Sequence, residues 1–210
     1  MRHISDSLGF TDVTEETLAA LAKSSDSRLL DCVARHPQTS EDILFYLARK
    51  HGRALTDALL VNERSSARVI RVICLKGALT TYQWRLLSYH KNTPADILES
   101  ITERYMAGAF PYGTSPEELC DILRHVVNHR NVSEKVFEII ILGNMERDVA
   151  TIGPFELDVY AVSVAVSSPL CPDHLICAVP FTDKASDWIM KEVSDRMAVM
   201  RETDENRREN

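Results

Sequence analysis

Three arginines are the first residues whose spacing suggests chemistry. Arg64, Arg68 and Arg71 are separated by four and three positions, which on a helix places them on one face. Val69, Val72 and Ile73 fall on the other. A guanidinium group is permanently charged, and its planar fork pairs two hydrogen bonds with a carboxylate or a phosphate. The stripe therefore reads either as a solvated helix face or as a recognition surface for an anionic partner. Arg49, Lys50 and Arg53, upstream of it, are candidates to extend it. Phe110 and Tyr112 flank Pro111 in a segment rich in glycine. Two aromatics in such a loop either anchor a partner or fold back to cover the chain.

The remaining reactive residue types form no catalytic pattern. His125 and His129 are four apart, so one helix face would present both, but a zinc site needs a third ligand. Cys120 lies near them in sequence and off the face of His129. His174 is three residues from both Cys171 and Cys177, a candidate thiol site. The competing expectation puts Cys171 at a helix start and packs Cys177 inward. No nucleophile elbow, phosphate-binding loop or dinucleotide fingerprint occurs. The acidic pairs Glu15-Glu16 and Glu117-Glu118 fall where helices begin, and the helix dipole accounts for negative charge there. The expectation is a non-catalytic chain with neither metal nor cofactor.

The elements that would carry these residues follow from an internal repeat. Five short polar turns recur: His36-Pro-Gln-Thr-Ser40, Asn62-Glu-Arg-Ser-Ser66, His90-Lys-Asn-Thr-Pro94, His129-Arg-Asn-Val-Ser133 and Ser168-Pro-Leu-Cys-Pro172. A weaker copy ends at Thr14. Spacings between the last residues of successive copies are 26, 26, 28, 39 and 39. Three, four and seven residues beyond each copy stand Thr17, Leu18, Leu21; Ile43, Leu44, Leu47; Val69, Ile70, Ile73; Ile97, Leu98, Ile101; Val136, Phe137, Ile140; and Leu175, Ile176, Val179. Seventeen of these eighteen are apolar, the spacing of one helix face. Seven residues before the last five copies stand Val33, Leu59, Leu87, Val126 and Ala165, and ten before stand Leu30, Thr56, Trp84, Leu123 and Val162. Each unit thus reads as helix, turn, helix. One such unit cannot bury its apolar faces alone, whereas stacked neighbours can.

The turns supply the helix boundaries. Thr39, Ser65 and Thr93 are expected N-caps. Pro94 and Pro172 suit the first helical position. His36, His90 and His129 stand where a donor side chain can satisfy the last carbonyls of a helix. Helices are predicted near 14–23, 27–35, 40–50, 53–61, 66–76, 80–89, 94–106, 115–128, 133–142, 155–166, 172–179 and 184–199. The longer spacings come from insertions at Ala107–Thr114 and Gly143–Gly153. Insertions of this kind map to loops on one face of a repeat protein.

The segment Val33-Ala-Arg-His-Pro-Gln-Thr-Ser-Glu-Asp-Ile-Leu-Phe-Tyr-Leu-Ala48 resembles the repeat signature of leucine-rich-repeat-variant and HEAT-like bacterial α-solenoids, which runs VAxHPxTPxxxLxxLA. The resemblance is good over residues 26–105, looser over 115–180 and poor at the ends. It implies an all-α, right-handed solenoid of about six helix-pair repeats and a binding role, with no particular partner. Two departures stand out. The last spacings exceed the family unit, and the N-terminal cysteine cluster that binds an iron–sulfur group in some members is absent.

Composition narrows the partner. The 210 residues carry a net charge of −7. Residues 1–105 hold 14 Lys+Arg and 13 Asp+Glu, while residues 106–210 hold 10 and 18. The acidic second half would repel phosphate. HEAT-like DNA glycosylases, similar in general architecture, hold duplex DNA in basic solenoids, so nucleic acid is the alternative. A protein with an acidic surface is the first expectation, and a degenerate HEAT-like enzyme the third. The acidic half itself reads as solvated surface or as a face for a basic partner. Five cysteines without a CxxC pair argue against a disulfide framework. Met1–Phe10 lacks an apolar leader core, and no run approaches the length of a membrane span. A cytoplasmic monomer or homodimer is expected, with one α-solenoid repeat domain over 1–200 and a disordered polar tail over 201–210.

Overall fold

The computed structural model describes residues 13–145, 155–179 and 187–208. Among the described residues the chain is all-α, with eleven helices and no strand. They are α1 (Glu15–Leu21), α2 (Ser27–Arg35), α3 (Glu41–Val61), α4 (Ala67–Leu75), α5 (Thr81–Tyr89), α6 (Ala95–Met106), α7 (Pro116–Val127), α8 (Glu134–Met145), α9 (Phe155–Ser167), α10 (Asp173–Ala178) and α11 (Asp187–Arg208). They gather into two compact units, residues 1–93 and 94–210, where the sequence reads as one repeat domain. In the first unit α3 packs against α2, α4 and α5. In the second, α6 packs on α7 and α8, α9 on α7, α8 and α11, and α10 on α8 and α11. Most of the Gly143–Gly153 insertion lies outside the described residues. None of the described helices is long and apolar enough to cross a membrane.

The repeated apolar positions form the core. Of the eighteen named above, all but Thr17, Leu21 and Ile97 are buried. Thr56 is also buried, its hydroxyl donating to the Gly52 carbonyl at 2.7 Å, which makes a polar residue acceptable inside.

The turns repeat in their bonds as well as their letters. The amide of Thr39 donates to the His36 carbonyl, Ser65 to Asn62, Thr93 to His90, Val132 to His129 and Cys171 to Ser168. The first residue of each turn also accepts an amide two residues on. His36, His90 and His129 use Nδ1, at 3.2, 3.2 and 3.0 Å, Asn62 uses Oδ1 at 2.9 Å and Ser168 its Oγ at 3.3 Å. Histidine here takes the part of asparagine in an Asx turn.

Neighbouring turns are then bonded together. In the first unit Asn62 Nδ2 donates to the carbonyls of Ala34 at 2.7 Å and His36 at 3.1 Å. Asn92 Nδ2 donates to those of Glu63 at 3.2 Å and Ser65 at 3.0 Å. His90 Nδ1 accepts an amide, so Nε2 carries the ring proton and donates to the Asn62 carbonyl at 3.1 Å. In the second unit Ser168 Oγ donates to the Val127 carbonyl at 2.8 Å. Arg196 of α11 donates to the Val166 and Ser168 carbonyls at 2.6 and 2.7 Å.

Several expectations change. Thr39, Ser65 and Thr93 are not N-caps. They are fully buried and donate backward to the carbonyls of Val33, Leu59 and Leu87 at 2.6–2.7 Å, closing the preceding helix. The extended N-cap is the next residue: Ser40, Ser66 or Pro94. Pro172 is likewise an N-cap and not a first helical residue. The helices expected over 40–50 and 53–61 are one helix, α3. The tail expected over 201–210 is helical through Arg208, in keeping with its glutamates and arginines, which are good helix formers.

α3 is bent. A straight helix of 21 residues would separate its ends by about 30 Å. Yet Glu41 at its start accepts from Ser66 Oγ at 2.6 Å, only five residues past its end. The two arms correspond to the two helices read from the sequence, with buried Gly52 midway between them.

Candidate anion-docking surface

The outer seam of α3 and α4 in the first unit collects positive charge. Phe45, half-buried on α3, carries Arg68 of α4 with its guanidinium carbon 3.4 Å from the ring centroid. Arg49, one turn further on, stands 5.9 Å from the same centroid. Next along the seam Lys76 lays its stem against Gly52 and donates Nζ to the Arg49 carbonyl at 2.7 Å. Arg53 follows, its guanidinium seated on Gly77 so closely that a Cβ there would stand 3.1 Å from Nη2. Lys50 turns to the Tyr46 ring and hydroxyl, 5.4 Å from the centroid and 3.0 Å from Oη.

These cations are held by a ring, a carbonyl, a phenol and a glycine, not by carboxylates. Among the described residues none of Arg49, Lys50, Arg53, Arg64, Arg68 and Lys76 forms an ion pair. A cation over an exposed aromatic face gains about 0.5–1 kcal/mol. Repulsion between like charges in water is similar, about 1 kcal/mol at 4 Å. The contacts thus offset much of the repulsion within the cluster, and among the described residues no ion pair neutralises its positive potential. Leu75 stands beside Lys76 and is 86% exposed.

The stripe expected from sequence is rearranged. Arg64 is not on the helix with Arg68, because α4 begins at Ala67. It stands in the preceding turn and donates to the Gln38 carbonyl at 3.4 Å. Arg71 is exposed on α4, three residues after Arg68. Val69 and Ile73 are buried and Val72 half-buried, as a two-faced helix requires. Arg49 and Arg53 do join Arg68 along one seam. Phe110 and Tyr112 belong to the second unit, where Phe110 is half-buried and Tyr112 fully exposed.

Phe45, Lys76, Leu75 and Gly77 were not singled out in the sequence. The 26-residue period contained part of the signal. Lys76 follows Lys50 by one period, and equivalent positions of stacked repeats lie side by side. Nothing in the period marks Phe45, whose role depends on a side chain from the next helix.

The other reactive groups are engaged elsewhere. His125 faces Asp121 at 3.6 Å, and His129 is buried in its turn. Among the described residues no group of three or more His, Cys, Asp or Glu is arranged to hold a metal ion. His174 pairs with Glu134 at 3.1 Å. Cys171 is buried just before the N-cap of α10, and burial pushes its thiol up to about 11. Cys177 is exposed and not packed inward, because Leu175, Ile176 and Val179 take the inner face of α10. A cleft of about 330 Å³ lies where α3 and α5 end, lined by Leu60, Val61, Leu86, Tyr89 and His90 with Glu63 and Lys91. His90 in its wall is committed to the turn bonds.

Comparison with known proteins gives no match to any family model, curated protein or solved structure.

Proposed function

We propose that the chain is a non-catalytic interaction module, an adaptor, scaffold or inhibitor of the cytoplasm. Its helix pairs stack within each unit in the manner of a HEAT-like right-handed α-solenoid. It docks an acidic segment of another protein on the α3–α4 seam. The observation that carries this reading is the row Arg68, Arg49, Lys76 and Arg53, fixed by uncharged contacts and without ion pairs among the described residues. Two further features favour protein over nucleic acid. The face of Phe45 is occupied by a guanidinium group and so offers no platform for a base. Exposed Leu75 beside the cations offers an apolar contact, which a sugar–phosphate backbone does not use.

The test is affinity capture from native extract, with and without nuclease, using the chain and an Arg49→Glu/Arg53→Glu/Arg68→Glu variant. A protein that survives nuclease and is lost with the variant supports the reading. Partners that vanish with nuclease replace it by nucleic-acid binding. Partners indifferent to the variant place the docking surface elsewhere.

A further inference from the structure

We infer that the acidic partner of the seam is a second copy of this chain, which presents the equivalent seam of its own second unit. The inference rests on the docking surface proposed above and names the molecule that fills it.

The charge of the chain divides where the fold does. Residues 1–93 carry 13 Lys+Arg and 10 Asp+Glu, and residues 94–210 carry 11 and 21. Equivalent seams of the two units carry the opposed charges. In the first unit α3 and α4 pack together and follow the turns that end at Ser40 and Ser66. In the second α6 and α8 pack together and follow the turns that end at Pro94 and Ser133. In both seams a side chain two residues past the later turn meets one five residues past the earlier turn. In the first these are Arg68 and Phe45, the guanidinium carbon 3.4 Å from the ring centroid. In the second they are Lys135 and Glu99, paired at 3.1 Å. Nine residues past the earlier turn stand Arg49 in one seam and Glu103 in the other. Five past the later turn stand Arg71 and Glu138. Positions that are cationic in the first unit are thus mostly acidic in the second.

The second seam keeps an excess of negative charge. One ammonium group stands among three carboxylates: the hydrogen bond and charge of Glu99, then the charges of Glu103 and Glu138, hold Lys135 above its ordinary value. Arg104, the next cation on α6, donates to the Ala109 carbonyl at 3.3 Å. In the first seam Arg49, Arg53, Arg68 and Lys76 form no ion pair among the described residues. One contact between copies therefore supplies carboxylates to those cations and cations to the crowded carboxylates. Complementary charge decides which faces meet. The faces differ, so the contact is heterologous, and each copy offers one seam of each sign. Exposed ion pairs contribute little singly, so the association is reversible and sensitive to salt.

The experiment is sedimentation equilibrium on the full chain over a concentration series, before and after nuclease treatment. It is run in about 0.1 M and about 1 M salt, where the Debye length is about 10 Å and about 3 Å. At the lower salt the mean mass should rise with concentration above the 23.7 kDa of one chain, and at the higher salt it should not. Arg49→Glu/Arg53→Glu/Arg68→Glu and Glu103→Lys/Glu138→Lys should each stay monomeric alone, because both seams of such a copy then carry the same sign. Mixed together, the two variants should associate. Circular dichroism melts check that each variant is folded. A second measurement needs no variant: carbodiimide coupling of isotope-labelled with unlabelled chain should give mixed-label links from Lys76 to Glu103 or Glu138. A monomeric parent without mixed-label links overturns the inference. So does an association that either variant keeps alone, or a mixture of folded variants that stays monomeric. The docking reading then still stands if fluorescein-labelled oligoaspartate binds the parent more tightly than the arginine variant, and falls if it binds both alike. Association seen only before nuclease treatment overturns both in favour of nucleic acid.

Discussion

Replacing His90 is the sharpest test of the turn ladder. The side chain is 6% exposed. Its Nδ1 accepts the Asn92 amide at 3.2 Å and its Nε2 donates to the Asn62 carbonyl at 3.1 Å. His90→Leu has nearly the same bulk and deletes both bonds. It leaves the Asn92 amide short of a partner, at a cost of about 1–3 kcal/mol where water does not reach, and takes from the Asn62 carbonyl one of two donors, the Ser65 amide remaining. Asn62 also accepts from Arg64 through its own side chain, so the turn is not emptied of bonds. We therefore expect a loss of about 1–3 kcal/mol, or roughly 5 °C or more in Tm for a unit of this size. His90→Asn is the control. Asn62 already occupies the same position one repeat earlier, where its Oδ1 accepts the amide and its Nδ2 donates to the turn before. Asparagine at 90 should cost about 1 kcal/mol or less. The assay is urea unfolding followed by tryptophan fluorescence in a Trp188→Phe background, so that buried Trp84 reports on the first unit. A leucine variant as stable as the parent would refute the ladder as a source of stability. An asparagine variant as damaged as the leucine one would refute the equivalence of the two turns.

Other outcomes follow from single contacts. Thr93→Val removes the buried hydroxyl bond to the Leu87 carbonyl, but Val132 fills the same turn position one repeat later. The loss should be near 1 kcal/mol, read in the same unfolding assay. Arg196→Met removes two charge-assisted bonds to the Val166 and Ser168 carbonyls. It should cost about 1.5–3 kcal/mol and raise amide exchange in α11 before the rest of its unit. Glu63 is held below the ordinary carboxylate value of 4.5 by the hydrogen bond and then the charge of Lys91. A lowered carboxylate stabilises above its unfolded value and stops doing so as pH falls through the folded one. The small difference between the parent and Lys91→Met at pH 7 should therefore shrink in acid unfolding as pH falls below the ordinary value of 4.5. Burial raises the Cys171 thiol from 9.0 to about 11, so the folded state keeps a proton that the unfolded state loses. Stability should fall between those values, less so in Cys171→Ala. At pH 8 a thiol reagent should label exposed Cys177 before Cys171.

The helices were legible because their apolar residues recur on one face and their starts carry recognisable caps. Ile43, Leu44 and Leu47 or Val136, Phe137 and Ile140 are buried where their spacing demands. The role of Thr39 was not legible. A threonine before a helix has two local choices, forward to the next helix or back to the last one, and the choice depends on which residue adopts the extended N-cap conformation. The continuity of α3 was hidden for a similar reason. Gly52 suggests a break, and only packing on both arms decides that the helical bonds persist through the bend. The charged stripe was half legible. Helical periodicity placed Arg68 and Arg71 outward, but the join between Arg68 and Arg49 passes through Phe45 on another helix. Arg64 lies outside even the helix predicted over 66–76, so the helical spacing that groups it with Arg68 and Arg71 does not apply to it.

The turn chemistry also accounts for the tolerance of unequal spacing. Within the second unit the turns at His129 and Ser168 are 39 residues apart, against 26 between those at His36 and Asn62 in the first. Ser168 Oγ still reaches back to the Val127 carbonyl, beside the His129 turn, much as Asn62 reaches back to Ala34 beside the His36 turn. Register is therefore set at the polar turns and not by the number of residues between them. The other insertion, Ala107–Thr114, precedes the His129 turn and lies between α6 and α7, away from the turn that joins α7 to α8. The loop thus lengthens the unit without changing the hydrogen bonds that align it. Loop-closure entropy grows slowly with length, so such an insertion costs little and can vary freely. The same logic predicts that lengthening the loop at Tyr112 by four glycines will shift Tm by a few degrees at most. Inserting one glycine between Asn131 and Val132, which displaces the amide that closes the His129 turn, should unfold the unit at a markedly lower temperature. Equal sensitivity at the two sites would mean that the turns do not set the register.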